Sequence, residues 1–319
     1  MDVSIIMINY NTFELTKNAI ESVKKHTLKN SYEIILVDNA STDGSVESLP
    51  ALFPELKYVF SKENDGTSKA FNKGLKLATG KYVLWLNTDV LFTDDFIGKL
   101  YDFAEKTPDC GICGGNLLAI DGTPTHSYRR KVLTPHAFCH NERLFVRLFR
   151  KIFKKQLSEQ YNYSDKPIKV GYVTGADFFV RKELFDKLGG FDERIFMYAE
   201  EVEFTYRMLK NTDYKSYNLP SAKMIHLEGA SFNGKTSFSE RRTRLMLLGN
   251  AEYLAIHFGN ASARKYIKFM SKAFRRRARV YALYNKQKAE ECFNCCAVAK
   301  KTIAEEIFSD KDCNDKKVV

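Results

Sequence analysis

The chain has 319 residues and a mass of 36.7 kDa, enough for two domains or for one large domain with an appendage. Hydrophobic residues make up 44% and charged residues 28%, which argues against a disordered chain, a collagen or a coiled-coil rod. No stretch approaches the ~18–20 consecutive apolar residues of a membrane span. The opening MDVSIIMINY lacks a basic region and a small-residue cleavage site, so we interpret it as a buried strand rather than a signal peptide.

The net charge of +11 is concentrated in one segment. Residues 241–288 contain 13 Lys or Arg and a single acid, Glu252, while the rest of the chain has 37 basic and 38 acidic residues. A positive field confined to a C-terminal module predicts an anionic surface as its partner. Membrane headgroups are the favoured surface and nucleic acid is the less favoured one.

Strands and helices alternate over the first 130 residues. The apolar run of residues 3–9 predicts a strand buried on both faces, and Asn11-Thr12 predicts the start of a helix over residues 13–25. Further strands are predicted at 34–37, 57–60, 82–86 and 111–118, and helices at 67–78, ended by Gly80, and at 95–106. This order predicts an α/β fold with a doubly wound, mostly parallel sheet.

Polar clusters follow three of the predicted strands, at residues 9–11, 38–43 and 87–89. In a sheet of this kind, ligands bind at the carboxyl ends of the strands. The coincidence is the first evidence that these side chains form a binding site.

The later part of the chain contains two basic helical regions. Residues 135–165 look like an insertion, in which Leu144, Phe145, Leu148, Phe149, Ile152 and Phe153 recur at helical spacing with Arg and Lys on the other faces. Such a helix either lies on an anionic membrane or packs on its own protein with a solvated basic face, and the residues leave both interpretations open. From about Thr236 the pattern is helical to the end. We therefore predict a first region over residues 1–235 and a basic helical region over 236–319.

The seven cysteines are interpreted as reduced cytosolic thiols. Cys110-x-x-Cys113 and Cys292-x-x-Cys295 have the spacing of zinc ligands. The first pair falls in an apolar strand and nothing indicates that the two pairs meet, so free thiols are the favoured interpretation.

Six segments in order resemble the family 2 glycosyltransferases with the GT-A fold, and among them the bacterial rhamnosyltransferase-like branch. The segments are INYN, VDNASTDGS, the pair Asn64-Asp65-Gly66 and Asn72-Lys73-Gly74, LNTD, GADFFVRKELFDKLGGFDERIFMYAEEVEFTYR, and HLEGAS. The resemblance runs from about Val3 to Ser231, and the C-terminal helices match only loosely as an appendage. It implies transfer of a sugar, with inversion, from a nucleoside-diphosphate donor to an acceptor hydroxyl.

The resemblance also implies which residues hold the donor. Asp38 would accept a hydrogen bond from the imide N–H of uracil or thymine, and Lys69, at a helix start suited to anions, would face the diphosphate. The implied donor-binding residues are Asn9, Asn11, Asp38, Asn39, Asn64, Gly66, Lys69, Asn72, Asn87, Thr88 and Asp177. Turn chemistry is the favoured alternative for Asn39, and a solvent-facing lysine is the favoured alternative for Lys69.

Asn87-Thr88-Asp89 stands where the family keeps its Asp-x-Asp metal motif, with an amide in place of the first carboxylate. The resemblance implies that Asp89 and His226 bind a divalent cation, Mn²⁺ or Mg²⁺, which offsets charge on the departing diphosphate. The alternatives are a strand-end aspartate on a turn and a histidine satisfied within the core.

Glu200-Glu201 corresponds to the family's Glu-Asp pair, so the resemblance makes Glu201 the base that deprotonates the acceptor hydroxyl. The alternative is electrostatic, because acids are favourable in the first turn of a helix.

We therefore predict an inverting glycosyltransferase that uses a dTDP- or UDP-sugar, with dTDP-rhamnose as a candidate. The predicted acceptor is a glycan or lipid-linked glycan of surface polysaccharide biosynthesis. The predicted location is the cytoplasm, with peripheral association at the inner face of the membrane. One rival is a catalytically inactive nucleotide-sugar-binding partner, since Asn87 and Glu201 depart from the family pattern. A less favoured rival is a nucleic-acid binder that uses residues 275–279. The sequence contains no recognised nucleic-acid-binding module.

Overall fold

The structure, a computed structural model, describes residues 1–135, 160–227 and 239–305. These residues divide into two compact units. The first contains residues 1–132, 160–193 and 200–227, and the second contains 133–135, 194–199 and 239–305. The predicted amphipathic helix within residues 144–153 and the chain after residue 305 lie outside the described residues.

The first unit is built on a mixed β-sheet. Its strands are β1 (Val3–Asn9), β2 (Tyr32–Asp38), β3 (Lys57–Phe60), β4 (Tyr82–Leu86), β5 (Val90–Phe92), β6 (Cys110–Leu118), β7 (Tyr128–Arg129), β8 (Ile168–Val170), β9 (Tyr172–Val173), β10 (Asp177–Arg181) and β11 (Lys215–His226). The large sheet has the order β3-β2-β1-β4-β10-β6-β11-β5, with β8 beside β11, and β7 pairs separately with β9. Strands β3, β2, β1 and β4 are parallel, whereas β10 runs antiparallel to both of its neighbours.

Helices cover both faces of this sheet. They are α1 (Phe13–His26), α2 (Ser45–Leu52), α3 (Gly66–Leu75), α4 (Phe96–Lys106), α5 (Lys182–Leu188) and α6 (Glu200–Asn211). Because successive side chains of a strand point to opposite faces, Ile5 of β1 belongs to the same buried cluster as Ile20 of α1, while Ile6 belongs to the cluster of Phe71 and Trp85. Burial on both faces explains the uninterrupted apolar run of β1. The predicted α/β fold with a mostly parallel sheet and C-terminal helices is confirmed.

Two local predictions are corrected by the structure. Helix α3 ends at Leu75 rather than residue 78, and Gly80 does not end it. A Cβ on Gly80 would lie 2.5 Å from the backbone nitrogen of Ser4, so glycine is required there because the chain passes closely over β1. Helix α2 was not predicted; it follows the polar residues 38–43 and is entered through the left-handed Gly44 (φ 86°).

The second unit is helical, with α7 (Glu240–Phe258), α8 (Asn260–Tyr281) and α9 (Lys286–Ala304) packed on one another. Ser239 accepts a hydrogen bond from the backbone N–H of Arg242 and caps α7, and Asn285 caps α9 in the same way through Lys288. Among the described residues, no helix has both the length and the apolar character needed to cross a membrane.

A short strained segment also belongs to the second unit. Tyr198 and Ala199 have φ angles of 68° and 78°, in the left-handed region that residues other than glycine rarely adopt. A Cβ on Gly249 of α7 would overlap the carbonyl oxygens of Met197 and Tyr198. Glycine at this position therefore lets α7 pack directly on the strained backbone, and that packing holds the segment in place.

We expect Gly249→Ala to destabilise the protein even though alanine has the higher helix propensity. Alanine gains roughly 1 kcal/mol in helix propensity. Overlap of its Cβ with two backbone carbonyls outweighs this gain, and we expect a net loss of stability of about 1–3 kcal/mol. Thermal unfolding measures the difference. Asn250→Ala is the matched control, because among the residues that the structure describes the Asn250 side chain hydrogen-bonds only to the carbonyl of Met246 in its own helix. Equal stability of the two variants would contradict the close packing described here.

Candidate functional site

The three polar clusters come together at one edge of the sheet, as predicted. Strand β1 lies between β2 and β4, and Asn9 is the register partner of Asp38. The carboxyl ends of these three parallel strands therefore bring residues 9–11, 38–43 and 87–89 to the same place.

The fully buried amide of Asn9 links the ends of β1 and β2 to the start of α1. Its Nδ2 donates to Oδ2 of Asp38 (2.7 Å) and to Oγ of Ser41 (3.0 Å). Its Oδ1 accepts from the hydroxyls of Thr12 (2.8 Å) and Thr16 (2.9 Å). Asn9 was predicted to bind the donor, but these four bonds occupy its donor and acceptor groups, so its role in this structure is to position its neighbours.

Asp38 is nearly fully buried and faces this network. Besides the bond from Asn9, its Oδ1 accepts from the backbone N–H of Ser41 at 2.8 Å. Each carboxylate oxygen has a second lone pair, so Asp38 retains capacity to accept further hydrogen bonds.

The turns beside Asp38 contain left-handed residues. Asn11 (φ 55°) and Ala40 (φ 68°) follow β1 and β2. The Asn11 side chain accepts from the backbone N–H of Thr42 (2.7 Å), which joins the two turns. Strained, cross-linked turns of this kind are typical of functional sites.

Asn39 and Asn64 join the end of β2 to the start of α3. The Asn39 amide donates to Oδ1 of Asn64 (3.0 Å) and accepts from the backbone N–H of Asp65 (3.0 Å). Asn64 also accepts from the N–H of Gly66, whose φ of 77° opens the helix. Lys69 is exposed one turn into α3. These contacts are local turn chemistry, the alternative favoured for Asn39 from the sequence.

Asn72, another predicted donor ligand, is committed elsewhere. Its amide both donates to the carbonyl (2.9 Å) and accepts from the N–H (2.9 Å) of Phe191, and it also donates to Glu193. Asn72 therefore fixes the loop after α5, and its amide groups are occupied by these protein partners.

Arg207 fixes the same loop from the other side. It forms a bidentate ion pair with the buried Glu203, in which Nε lies 2.7 Å from Oε1 and Nη2 lies 2.7 Å from Oε2. It also donates to the carbonyls of Leu188 (2.6 Å) and Gly190 (2.7 Å). The hydrogen-bond donors of its guanidinium are thus paired with protein acceptors.

Asp89 and His226 meet at the far end of the polar edge. Strands β5 and β11 are antiparallel with Val90 opposite His226, which brings His226 Nε2 to 3.3 Å from Asp89 Oδ1. Two ligands bound at right angles to one cation at about 2.1 Å would lie about 3.0 Å apart, so this pair has a spacing suited to a shared Mn²⁺ or Mg²⁺. Thr88 beside them touches Thr12 (3.3 Å between hydroxyls).

Protein side chains alone supply few ligands here. Within the described ranges, no group of three or more His, Cys, Asp or Glu is arranged to hold a metal. A cation at Asp89 and His226 would complete its shell with water and substrate oxygens, as Mg²⁺ commonly does. Cys110 and Cys113 are free and buried in β6.

The acid pair predicted to contain the base lies at the start of α6. Burial raises the pKa of Glu201 to about 7, and burial together with the charge of Glu201 raises the pKa of Glu200 to about 8. Glu201 is partly exposed, whereas Glu200 is buried and interacts with Thr67 at the start of α3. The acid pair therefore borders the turn formed by Asn39, Asn64 and Gly66, and a carboxylate with a pKa near neutrality is suited to proton transfer.

Two residues near Glu201 were not predicted to belong to the site. Tyr172 of β9 is buried, and the charge of Glu201 contributes, after burial, to raising its pKa, while Arg129 lowers it. Arg129 of β7 is the register partner of Tyr172. No local signal reveals this arrangement, because the pairing joins segments that are distant in the chain.

Asp177 lies beneath the site rather than on its surface. The carboxyl is fully buried, its Oδ2 accepts from the N–H of Gly115 (2.5 Å), and burial raises its pKa well above the usual range. A Cβ on Gly114 would approach the same carboxyl at 2.9 Å. Asp177 thus faces β6, and we leave it out of the proposed donor contacts.

Comparisons with known proteins agree on one family. The model of Glycosyl transferase family 2 matches residues 4–189. The chain is 27% identical over 211 residues to the N-acetylglucosaminyl-diphospho-decaprenol L-rhamnosyltransferase of Mycobacterium tuberculosis, covering 60% of this chain and 66% of that protein. It is 31% identical over 130 residues to the putative teichuronic acid biosynthesis glycosyltransferase TuaG of Bacillus subtilis, covering 40% and 51%. The chain thus spans just under two thirds of the first relative and about half of the second.

Solved structures share the fold. The mannosyltransferase PcManGT of Pyrobaculum calidifontis, in complex with GDP-Man and Mn²⁺, superposes with a TM-score of 0.53 at 16% identity, covering 96% of this chain and 88% of that one. S. aureus TarS 1–349 has a TM-score of 0.50 at 14% identity, covering 97% and 93%. At this identity the likeness shows the GT-A fold and nothing finer.

We expect Asn9→Ala to destabilise the protein by about 2–4 kcal/mol, because it leaves a buried oxygen of Asp38 without its donor. Asn9→Asp should cost more, since it places a second carboxylate against Asp38. Denaturant unfolding measures both changes. Asn18→Ala on the exposed surface of α1 is the control and should have little effect. A loss for Asn9→Ala no larger than for Asn18→Ala would mean that the buried network adds nothing to stability.

Proposed function

This chain belongs to glycosyl transferase family 2, and from that membership and the geometry of the site we propose that it is an inverting transferase. The proposal is that it moves a sugar from a dTDP- or UDP-linked donor to an acceptor hydroxyl in surface polysaccharide biosynthesis. Glu201 carries the proposal, because it is a partly exposed carboxylate with a pKa of about 7 beside the polar edge of the sheet.

The proposed donor site lies at the ends of β1, β2 and β4. Asp38 would accept the imide N–H of uracil or thymine through a remaining lone pair, whereas the corresponding ring nitrogens of adenine and cytosine carry no hydrogen to donate. The residues proposed to surround the nucleotide are Asn11, Asp38, Asn39, Asn64, Gly66, Lys69, Asn87 and Thr88. The mycobacterial relative is named as an L-rhamnosyltransferase, which supports dTDP-rhamnose as the first donor to test.

Transfer is proposed to occur in one displacement. Glu201 accepts the proton of the acceptor hydroxyl while the oxygen attacks the anomeric carbon, and the bond to the nucleoside diphosphate breaks on the opposite face. This route needs one base and no protein nucleophile, so the anomeric configuration inverts. Glu200 lies beside it at the start of the same helix, where burial and the charge of Glu201 raise the pKa of Glu200.

Asp89 and His226 are proposed to hold a divalent cation, Mn²⁺ or Mg²⁺. When bound there, the cation would offset negative charge on the diphosphate as it leaves. Asn87 presents an amide where the family has a carboxylate, so the protein contributes one negative charge fewer to this site. The spacing of Asp89 and His226 is the observation that supports the assignment.

The acceptor is proposed to be a glycan or a lipid-linked glycan at the cytoplasmic face of a membrane. The support is the charge of residues 241–288, with 13 basic residues and one acid, which favours an anionic surface.

We expect Glu201→Gln to lower kcat by about 10²–10⁴-fold, the usual contribution of a general base, with little change in donor affinity. For the wild type, kcat/KM should rise with pH through an inflection near pH 7, because Glu201 must lose its proton to act and its pKa is raised. Steady-state kinetics over a pH series test both statements. Glu21→Gln, an exposed glutamate of α1, is the control. An active Glu201→Gln variant would exclude Glu201 as the base, and a wild type that binds donor without transfer or hydrolysis would favour the inactive-partner rival.

We expect UDP or dTDP to raise Tm only when Mn²⁺ or Mg²⁺ is present. A nucleotide at 100 times its Kd stabilises the native state by about 2.7 kcal/mol, which corresponds to several degrees. CDP should give a smaller shift because cytosine has no ring N–H to donate to Asp38. His226→Ala should abolish the metal-dependent part, and His26→Ala on α1 should not. An equal shift in EDTA would contradict the cation site while leaving the nucleotide site intact.

A further inference from the structure

Helix α8 presents a straight line of basic side chains to solvent. Its members are exposed and recur at spacings of three and four residues, which places them on one side of the helix. They are Lys265, Lys268, Lys272, Arg275 and Arg279, with Arg276 beside them, and we call this set the basic stripe. The stripe runs for about 21 Å along the helix axis. None of the six forms an ion pair with another residue that the structure describes.

Packing fixes the direction in which the stripe points. The opposite side of α8 buries Ala263, Tyr266, Ile267 and Met270 among the helices of the second unit. Rotating the helix to hide the charges would expose these apolar side chains to water, which is unfavourable. The stripe is therefore a permanent surface of this unit.

A groove runs beside the N-terminal half of the stripe. Its volume is about 420 Å³, and the residues that line it include Arg264, Lys265, Lys268, Lys272 and Phe269. Several cations around an opening of this size form a site suited to a phosphate-bearing headgroup, with an aromatic ring available to the glycerol or acyl region.

The stripe ends at an exposed apolar tip. In the turn between α8 and α9, Leu283 is 85% and Tyr284 is 67% exposed. The turn is ordered by backbone bonds from the N–H of Leu283 to Val280 and from the N–H of Tyr284 to Tyr281. We call Leu283 and Tyr284 the apolar tip. A leucine followed by a tyrosine, next to a line of cations, matches the chemistry of a membrane interface, where aromatic rings lie at headgroup level.

We propose that the basic stripe and the apolar tip together form the face by which this protein docks on an anionic lipid surface. The stripe would lie along the headgroups while the tip enters the boundary with the acyl chains. The inference rests on the membrane association proposed above and specifies its surface. A lipid partner is favoured over nucleic acid because phosphate backbones offer nothing to an exposed Leu283, whereas a bilayer accommodates both parts of the face.

The first test measures co-sedimentation with phosphatidylcholine vesicles with and without phosphatidylglycerol. Each Lys or Arg near an anionic surface contributes to the free energy of membrane binding. Replacing Lys265, Lys268 and Lys272 by Gln should therefore weaken binding by about 100-fold. The control replaces three exposed lysines of the first unit, Lys25, Lys76 and Lys106, by Gln. Equal losses for the two triple variants, or equal binding of wild type to neutral vesicles, would overturn the proposal.

The second test follows the apolar tip. The chain has one tryptophan, Trp85, which is buried in the first unit and so serves as the internal control. In Tyr284→Trp, lipids brominated on the acyl chains should quench the new fluorescence on anionic vesicles, and Leu283→Ser should weaken binding by about tenfold. Leu28→Trp, at an exposed position of the first unit, should not be quenched. If the Tyr284→Trp variant binds to the vesicles but its fluorescence is not quenched, the apolar tip does not enter the bilayer and the proposed face is wrong.

The third test separates this proposal from its rivals. Vesicle binding is measured without donor or acceptor and repeated with Glu201→Gln, so a failure of the proposed transferase chemistry leaves the result unaffected. Single-stranded RNA is titrated over a salt series in parallel. RNA binding that is tighter than vesicle binding and depends on the same three lysines would replace the membrane by nucleic acid as the partner.

Discussion

The hydrogen bonds of the Asn9 amide are the interaction on which the polar edge depends. Asn9 lies at the end of β1, the strand between β2 and β4, and it is fully buried. It donates to Asp38 and Ser41 on one side and accepts from Thr12 and Thr16 on the other, and Thr12 in turn touches Thr88. The three polar clusters are therefore one connected network. Because a buried polar group that loses its partner costs free energy, each member constrains the next, and Asp38 is held in one orientation before any ligand arrives.

The acid pair at the start of α6 shows the opposite use of burial. Here burial disfavours the charged forms of two neighbouring carboxyls, and the charge of Glu201 adds to the effect at Glu200, so both pKa values rise. The chain enters this helix through Tyr198 and Ala199, whose left-handed backbone is costly for side chains with a Cβ. Gly249 of α7 allows the packing that supports this backbone. The C-terminal helices thus have a structural task in the segment that precedes Glu201, separate from the charged surface of α8.

Much of the fold could be predicted because its signals are local. The uninterrupted apolar run of β1 reflects burial on both faces, and the polar residues after β1, β2 and β4 meet because parallel strands end at one edge. The direction of each side chain was harder to predict. Asn9, Asn72 and Asp177 share motifs with ligand-binding residues, yet their groups turn inward to Asp38, Phe191 and Gly115. The neighbours of Glu201 could not be predicted, since Tyr172 and Arg129 are brought together by the pairing of β7 with β9, which depends on tertiary structure.

The pairing of Asp89 with His226 has a consequence for how the proposed site would work. The two proposed ligand atoms lie 3.3 Å from each other, and one of them belongs to a histidine that is neutral when it binds metal, so this pair alone would hold a hard cation weakly. Under the proposed function, oxygens of the donor diphosphate would supply some of the remaining ligands, so the cation and the donor would each raise the affinity of the other by the same factor. The amide at Asn87 strengthens this dependence, because a carboxylate there would have increased metal affinity without the donor. The cation would then bind mainly when the donor is also bound. In that state, the positive charge of the cation would offset the negative charge on the departing diphosphate.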